Sequence, residues 1–349
     1  MNRRTLVRVL AAMAAILAVT AAVIDRTAAA EEVVLRVHHF LPPASTAQTQ
    51  LIEPWAKRVT EESDGRIKVQ IFPSMQLGGK PPQLFDQVRD GVVDVVWTLA
   101  GYTPGRFPKL EVLELPFVPG AARATSAAAH AYAMEYAEDE LSDVHPILVH
   151  VHAPGTLHMK KRPIRNTEDI KGAVIRVPNR PVNAALTELG ASPIGMPVPQ
   201  VPEALSRGVI DGAVLPFEVT RPLRIHELTD SHTEFGGDRG LYTAVFLYLM
   251  NKDTYEKLPD DLKQVIDDNA GIELALKVGE AWDKAEEPGR KAAADLGHAF
   301  YVIDGAELDR WKAATKPAID EWVKERAAAG DDGQALLDAA EALIDQYSR

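Results

Sequence analysis

The sequence contains no cysteine, and this absence removes several classes of function at once. Thiol catalysis, cysteine-ligated zinc and a lipoprotein anchored through an N-terminal cysteine are all excluded. A chain without cysteine also suits an oxidising compartment, where thiols do not stay reduced. The sequence lacks a P-loop, G-x-S-x-G, H-E-x-x-H and G-x-G-x-x-G as well, so no common catalytic or nucleotide-binding motif is present.

Positive charge is in the minority. The chain has 38 Lys and Arg against 50 Asp and Glu, a formal net charge of −12. An acidic protein is a poor partner for nucleic acid or an anionic membrane, and neither is predicted here. An anionic ligand would therefore have to be held by a local cation.

Long apolar runs are confined to the N-terminus. Arg3 and Arg4 precede an apolar run at 6–24, and small residues lead up to Ala30. This pattern predicts a secretory signal peptide at 1–30, cleaved near Ala30, and a periplasmic protein. The arginine pair leaves two export routes open, the general secretory (Sec) pathway and the twin-arginine pathway. Arg8 interrupts the run, which argues against a retained membrane anchor.

Residues 172–220 carry the pattern around which the chain is organised. A strand at 173–177 contains Arg176 and stops at Pro178. A helix at 182–189, a second at 202–207 and a strand at 209–215 follow. A similar strand–helix–strand order at 33–72 predicts an α/β fold with parallel strands.

Arg176 is the candidate anchor for a ligand. An arginine at the end of a buried strand is costly unless an anion pairs with it. Its planar guanidinium grips a carboxylate with two parallel hydrogen bonds, and strand ends are where α/β proteins place ligands. The alternative, an edge-strand arginine paired with a surface carboxylate, stays open on spacing alone.

Other candidate ligand contacts come from strand ends and one Gly/Pro-rich loop. Residues 89–96 and 206–213 both read as a helix end, Gly, two β-branched residues, Asp and a strand, which predicts one such unit in each half. Chance similarity is the competing interpretation. The candidates beside Arg176 are Phe40, Trp97, Tyr102, Arg106, His158, Asn179, Leu215, Phe217 and Glu218.

The run 171–178, followed by Gly208-Val209-Ile210-Asp211-Gly212 and Pro216, resembles the solute-binding proteins of TRAP (tripartite ATP-independent periplasmic) transporters. The resemblance extends over nearly the whole chain from about Glu32. It implies a type II-like, two-lobed periplasmic binding protein with a long helix spanning both lobes. It also implies closure on an organic acid held by Arg176, and integral membrane subunits as partners.

Two departures from the family pattern bear on the ligand. Many relatives for polar acids carry Asn where this chain has Leu215, so the cleft is predicted to be more apolar. Family members often have an arginine soon after the first crossing at 153–155, where this chain offers His158. An aromatic or apolar carboxylate is therefore ranked before a C4-type dicarboxylate, with Arg106 or His158 as substitutes for the second cation.

The resulting predictions are specific. Lobe I is expected at 31–153 plus about 242–278, and lobe II at 154–241 plus about 279–349. The spanning helix should open at Pro259 and end or kink at Pro288. No cofactor, metal or catalytic residue is predicted, although His150 and His152 share a strand face and Glu218 is the best acid–base candidate if the protein is a secreted enzyme. The protein is expected to be monomeric.

Overall fold

The structure is a computed structural model that describes residues 32–349. The predicted signal peptide and its cleavage site lie outside the described residues. Within that range, none of the helices combines the length and apolar character that crossing a bilayer requires.

The first sheet has five strands in the order β2-β1-β3-β10-β4. Strands β1, β2 and β3 are parallel, whereas β10 runs antiparallel to both β3 and β4. Its helices include an Ala-rich helix, α3, whose small side chains allow close packing. The strands are β1 (Val33–His39), β2 (Ile67–Phe72), β3 (Val95–Leu99), β4 (Val144–Val151) and β10 (Val245–Asn251), and the helices are α1 (Glu53–Glu62), α2 (Leu84–Arg89) and α3 (Ala122–Tyr136).

The second sheet has six strands in the order β11-β9-β5-β8-β6-β7. Here β6, β7 and β8 are parallel, and β5 runs antiparallel to β8 and β9. The strands are β5 (Thr156–Met159), β6 (Val174–Val177), β7 (Ser192–Gly195), β8 (Gly212–Leu215), β9 (Ser231–Phe235) and β11 (Ala299–Ile303), and the helices between them are α4 (Arg180–Glu188) and α5 (Val201–Ser206).

The two helix–Gly–strand units have the same local structure. Gly91 and Gly208 both take positive φ, 71° and 69°, which glycine adopts without strain. Asp94 then accepts the Arg36 amide of β1 at 2.9 Å. Asp211 accepts the Val174 amide of β6 at 2.9 Å in the same way. The units are therefore structural equivalents, not a chance similarity of sequence.

Two helices replace the one that the sequence predicted after Pro259. They are α7 (Asp260–Asp268) and α8 (Gly271–Asp295), preceded by the short α6 (Lys252–Lys257). Helix α8 packs on α3 and β4 and also on the turn Phe217–Val219, so it spans both sheets as expected. Of the two outcomes predicted at Pro288, an end or a kink, the end was wrong. Pro288 removes one main-chain hydrogen bond of the helix. Residues before and after it in the sequence are buried by packing, and this packing keeps the helix continuous to Asp295.

The chain crosses between the sheets more than once. It passes from β4 to β5, back from β9 to β10, and again along α8 to β11. The strands of the two sheets fall into the two predicted sets of residues, and the lobe boundaries at 153, 241 and 278 remain our proposal. The last helices are α9 (Gly305–Ala328) and α10 (Gly333–Tyr347), and α10 packs on α3 of the first lobe.

Candidate ligand-binding site

A cavity lies between the two sheets, with walls from both. Lobe I contributes Phe40, Leu41, Leu99, Tyr102, His152, Tyr242, Ala244 and Phe246, and lobe II contributes Arg176, Pro178, Val198, Leu215, Pro216, Glu218 and Val219. The cavity measures about 30 Å³, counted as space open to the centre of a water molecule. A cavity that holds benzene measures roughly 150 Å³, so a ring can enter only if the walls move apart.

Arg176 lies in β6, where it is 2% exposed. Its Nε donates to the Met196 carbonyl at 2.9 Å, and its Nη1 donates to the Val214 carbonyl at 3.2 Å. These neutral partners orient the guanidinium without cancelling its charge. Among residues 32–349 no carboxylate forms an ion pair with Arg176, so the surface ion-pair interpretation is wrong. The site thus contains a buried, uncompensated cation.

Three polar side chains surround Arg176. The Tyr102 hydroxyl accepts the Val198 amide at 2.8 Å, which leaves its own proton free to donate. Burial raises the pKa of Tyr102 and Tyr242, and the nearby Arg176 charge partly opposes this, so both are neutral phenols. Burial and the Arg176 charge together lower the pKa of His152 to about 4, against the effect of the Ala153 carbonyl. His152 is therefore neutral, which leaves Arg176 as the one cation among the described residues that line the cavity.

Aromatic rings form the wall of lobe I. Phe40 stacks on Trp97 with ring centroids 5.0 Å apart and meets Tyr102 edge-on at 5.4 Å. Trp97 stacks in turn on Phe246 at 4.4 Å. Phe40, Tyr102 and Phe246 line the cavity, and Trp97 lies behind Phe40 and Phe246. Such rings provide flat apolar surface suited to another ring.

Glu218 lines the same cavity from the turn after β8. It is 7% exposed, and its Oε2 has no hydrogen-bond partner among the described residues. Burial raises the pKa of its carboxyl to about 7, and Thr46 partly opposes this. Glu286 of α8 holds the turn by accepting the Phe217 and Glu218 amides at 2.9 and 3.0 Å. The main chain at Glu218 is thus held in place, and one carboxyl oxygen is left without a partner.

Five of the ten predicted residues line the cavity: Phe40, Tyr102, Arg176, Leu215 and Glu218. Three others point elsewhere. Trp97 is in the second layer because its Nε1 donates to His150 Nε2 at 2.9 Å. Arg106 lies over the Phe85 ring and pairs with Asp86, away from the cavity. Phe217 is buried on the other side of its turn, against His158 and the β9–β11 region.

His158 and Asn179 have structural partners instead of cavity positions. Burial lowers the pKa of His158 to about 3, so the ring is neutral. Its Nε2 donates to the Leu215 carbonyl at 3.0 Å, and its Nδ1 then accepts from His232 at 2.8 Å. Asn179 caps α4 by accepting the Val182 amide at 3.0 Å. His158 therefore supports the Leu215 wall without reaching the cavity.

The site contains residues that the sequence did not single out, chiefly His152, Tyr242 and Phe246. Gly155 explains the placement of Tyr242, because a Cβ at that position would overlap the Tyr242 ring. The sequence signal for His152 was the alternation His150-Val151-His152, which puts both imidazoles on one strand face. Residues 32–349 contain no cluster of three or more His, Cys, Asp or Glu suited to a metal ion.

The two lobes are joined beside the cavity by direct contacts. Arg180 at the start of α4 makes a bidentate pair with Glu111 of the turn Leu110–Glu114, with Nη2 to Oε2 at 2.5 Å and Nε to Oε1 at 3.2 Å. The Tyr102–Val198 hydrogen bond also joins the two lobes. These contacts define a closed arrangement that ligand entry has to interrupt.

Comparison with known proteins agrees with this geometry. The family model described as bacterial extracellular solute-binding protein, family 7, matches residues 37–326. A TRAP solute-binding protein from a marine metagenome, described as specific for aromatic acid ligands, has been solved with 3-hydroxybenzoate and with metahydroxyphenylacetate. It is 49% identical with a TM-score of 0.90, covering 91% of this chain and 100% of the other.

Two further solved TRAP solute-binding proteins are similar. The one from Rhodoferax ferrireducens T118, with copurified benzoate, is 42% identical with a TM-score of 0.89, covering 90% of this chain and 98% of the other. The one from Bordetella bronchiseptica, with bound (R)- and (S)-mandelate, is 30% identical with a TM-score of 0.83, covering 90% and 99%. The chain therefore belongs to the bacterial extracellular solute-binding proteins of family 7, the solute-binding proteins of TRAP transporters.

Proposed function

We propose that this protein captures an aromatic monocarboxylate in the periplasm and delivers it to the membrane subunits of a TRAP transporter. The observation that carries the proposal is the uncompensated guanidinium of Arg176 at 2% exposure, facing a cavity walled by Phe40, Tyr102 and Phe246. A ligand carboxylate would provide the missing counter-charge through the guanidinium fork. A ring would fit between the aromatic walls.

The aromatic class is favoured over a C4-type dicarboxylate by the charges of the site. Within the described residues, Arg176 is the one arginine or lysine that lines the cavity. The two candidates for a second cation are unsuitable, since Arg106 is paired with Asp86 and His158 is neutral. When ionised, Glu218 would repel a second carboxylate. The known ligands of the three similar proteins are aromatic monocarboxylates as well.

A binding role also accounts for Glu218 better than catalysis does. Family membership implies transport, and that this chain catalyses no reaction is part of our proposal. Among residues 32–349 no base is hydrogen-bonded to Glu218, whose side-chain partner is the Thr46 hydroxyl, so an acid–base function lacks its second group. Cleavage of a signal peptide near Ala30 and a monomeric state belong to the same proposal.

The test is calorimetric titration of protein that has been unfolded and refolded to remove copurified ligand. We expect benzoate and 3-hydroxybenzoate to bind with one site per chain, succinate to bind far more weakly, and no ligand to be consumed. Tight succinate binding without a response to either aromatic acid would contradict the ligand class. Turnover of a bound acid would contradict the binding role.

A further inference from the structure

The cavity has two chemically different ends. Tyr102 and Pro178 also line the surface groove that contains Met196, the partner of Arg176. Glu218 also lines a second, separate groove, the outer groove, formed by the turn after Glu218, the loop at Thr46 and one side of α8. The anchor end of the cavity therefore adjoins the groove with Met196, and Glu218 stands at the other end, beside the outer groove.

Glu218 has a hydrogen-bonding capacity that its surroundings do not use. Its main chain is clamped by Glu286, yet Oε2 is buried without a partner in the part of the chain that the structure describes. A buried acceptor without a partner costs free energy comparable to a lost hydrogen bond, and more when it is charged. Such an unmet group in a cavity wall is satisfied when a ligand brings a donor to it.

We propose that Glu218 is a specificity-determining residue that accepts a hydrogen bond from a ring hydroxyl, so that the preferred ligands are hydroxyaromatic monocarboxylates. This inference rests on the proposed function, because Arg176 must first hold the carboxylate. When ionised, Glu218 also disfavours ligands with a second carboxylate at that end, since two carboxylates at hydrogen-bond distance oppose each other's ionisation. Arg176 thus selects for an acid, and Glu218 selects among acids.

The direct test compares three probes that differ at one ring position: benzoate, 3-hydroxybenzoate and benzene-1,3-dicarboxylate. A charge-assisted hydrogen bond predicts that the wild-type protein binds 3-hydroxybenzoate about tenfold or more tightly than benzoate. The dicarboxylate should bind more weakly than benzoate. Glu218→Leu should remove the preference for the hydroxyl, so that 3-hydroxybenzoate and benzoate bind this variant with similar affinities.

Two variants make the comparison interpretable. Glu218→Gln keeps an acceptor of the same size without charge, so its preference should fall between those of wild type and Glu218→Leu. It should also bind the dicarboxylate better than wild type does, since the amide can donate. Glu227→Gln is the matched control, because Glu227 lines the outer groove, pairs with Arg224 and does not line the cavity. Its preference should equal that of wild type.

The wild-type protein provides a test that needs no variant. In the ligand-free protein burial holds the pKa of Glu218 at about 7, above its ordinary 4.5. Benzoate brings no donor to Glu218, so this group should leave benzoate affinity nearly independent of pH. A phenol donor stabilises the carboxylate and lowers its pKa in the complex, so the affinity for 3-hydroxybenzoate and the preference over benzoate should rise as pH rises towards 7 and level off above it. The ionisable groups that line the cavity or the outer groove with Glu218 are Tyr102, His152, Arg176, Tyr242, Arg221, Arg224, His226, Glu227, Lys277, Glu280 and Lys284, and Glu286 clamps its main chain.

Each result bears on one claim. Equal affinities for benzoate and 3-hydroxybenzoate in wild type, or a preference that survives Glu218→Leu, would overturn the role of Glu218 while leaving the proposed function intact. Failure of all three acids to bind would instead overturn the proposed function. If Glu218→Leu does not fold, the Glu218→Gln preference and the pH profile of the wild-type preference decide, and an unchanged preference together with a flat profile would overturn the inference.

Discussion

Strands β3 and β8 enter their sheets through the same arrangement, a positive-φ glycine followed by an aspartate that accepts a main-chain amide of the neighbouring strand. What those neighbouring strands bring to the cavity differs. Strand β1 leads to Phe40, a ring in an aromatic stack, whereas β6 carries Arg176, a cation held by two carbonyls. The two lobes therefore share the same backbone arrangement and differ in the side chains that they place at the cavity.

This division explains how closure can depend on the ligand. Lobe I brings the aromatic rings to the cavity, whereas lobe II brings the buried charge of Arg176 and the carboxyl of Glu218. A ligand with both a carboxylate and a ring gains its full set of contacts when the lobes meet around it. Differential contacts of that kind are what shift an equilibrium between open and closed states.

The largest expected effect comes from removing the charge of lobe II. Arg176→Ala should weaken benzoate binding by at least about 2–3 kcal/mol, the scale of a lost charge-assisted, partly buried pair. Arg176→Lys should recover little, because lysine lacks the fork. Titration calorimetry checks this, with Arg106→Ala as a control that should bind normally. Unchanged affinity in Arg176→Ala would show that the carboxylate is held elsewhere.

Because both lobes use the same glycine–aspartate arrangement, removing either aspartate should lower stability by a similar amount. Asp94→Ala and Asp211→Ala each leave a strand amide without its acceptor, so each should lower the free energy of unfolding by about 1–3 kcal/mol. The ion pair between Asp94 and the partly exposed Arg36 should add little to the destabilisation caused by Asp94→Ala. Denaturant midpoints measure both variants beside the exposed control Asp90→Ala. A large effect in one and none in the other would mean that the units are not energetic equivalents.

The aromatic wall of lobe I should matter less than the cation. Phe40→Leu keeps an apolar side chain but removes the ring that stacks on Trp97, so benzoate affinity should fall by about 0.5–1.5 kcal/mol. Phe300→Leu, on β11 away from the cavity, is the control. Equal affinities in wild type and Phe40→Leu would argue against a ring packed on this wall.

The smallest expected effect is at the contact between the lobes. The Arg180 side chain is 42% exposed and also pairs with Glu325, so we expect its pair with the less exposed Glu111 to contribute about 1 kcal/mol. Arg180→Ala should raise the radius of gyration of the ligand-free protein in small-angle scattering and weaken benzoate binding by a few-fold at most. Saturating benzoate should restore the compact form. Arg224→Ala, which loses an exposed pair within lobe II, should leave the scattering unchanged.

The sequence predicted the two-lobed α/β fold, the helix that spans both lobes and the position of Arg176 because these follow from local patterns. Strand formers, capping glycines and a lone arginine in an apolar strand can all be read within a few residues. The end of α8 was missed because packing on both sides outweighs the helix-breaking tendency of Pro288.

Five of the ten predicted contacts line the cavity, where they are five of its fifteen lining residues, and the rest were missed for a related reason. Residues near a strand end are candidates, but which of them faces the cavity depends on partners distant in the chain. Trp97 donates a hydrogen bond to His150, and the Phe217 ring packs against His158. Tyr242 fits because Gly155 has no side chain. None of these three relationships is visible from local sequence.

The central claim is that one buried arginine holds the carboxylate of an aromatic acid between the two lobes. A crystal structure of the refolded protein with benzoate tests it most directly. We predict a closed form with both carboxylate oxygens at hydrogen-bond distance from the Arg176 guanidinium, and the ring among Phe40, Tyr102 and Phe246. A carboxylate bound away from Arg176, or a ring outside this cavity, would contradict the account.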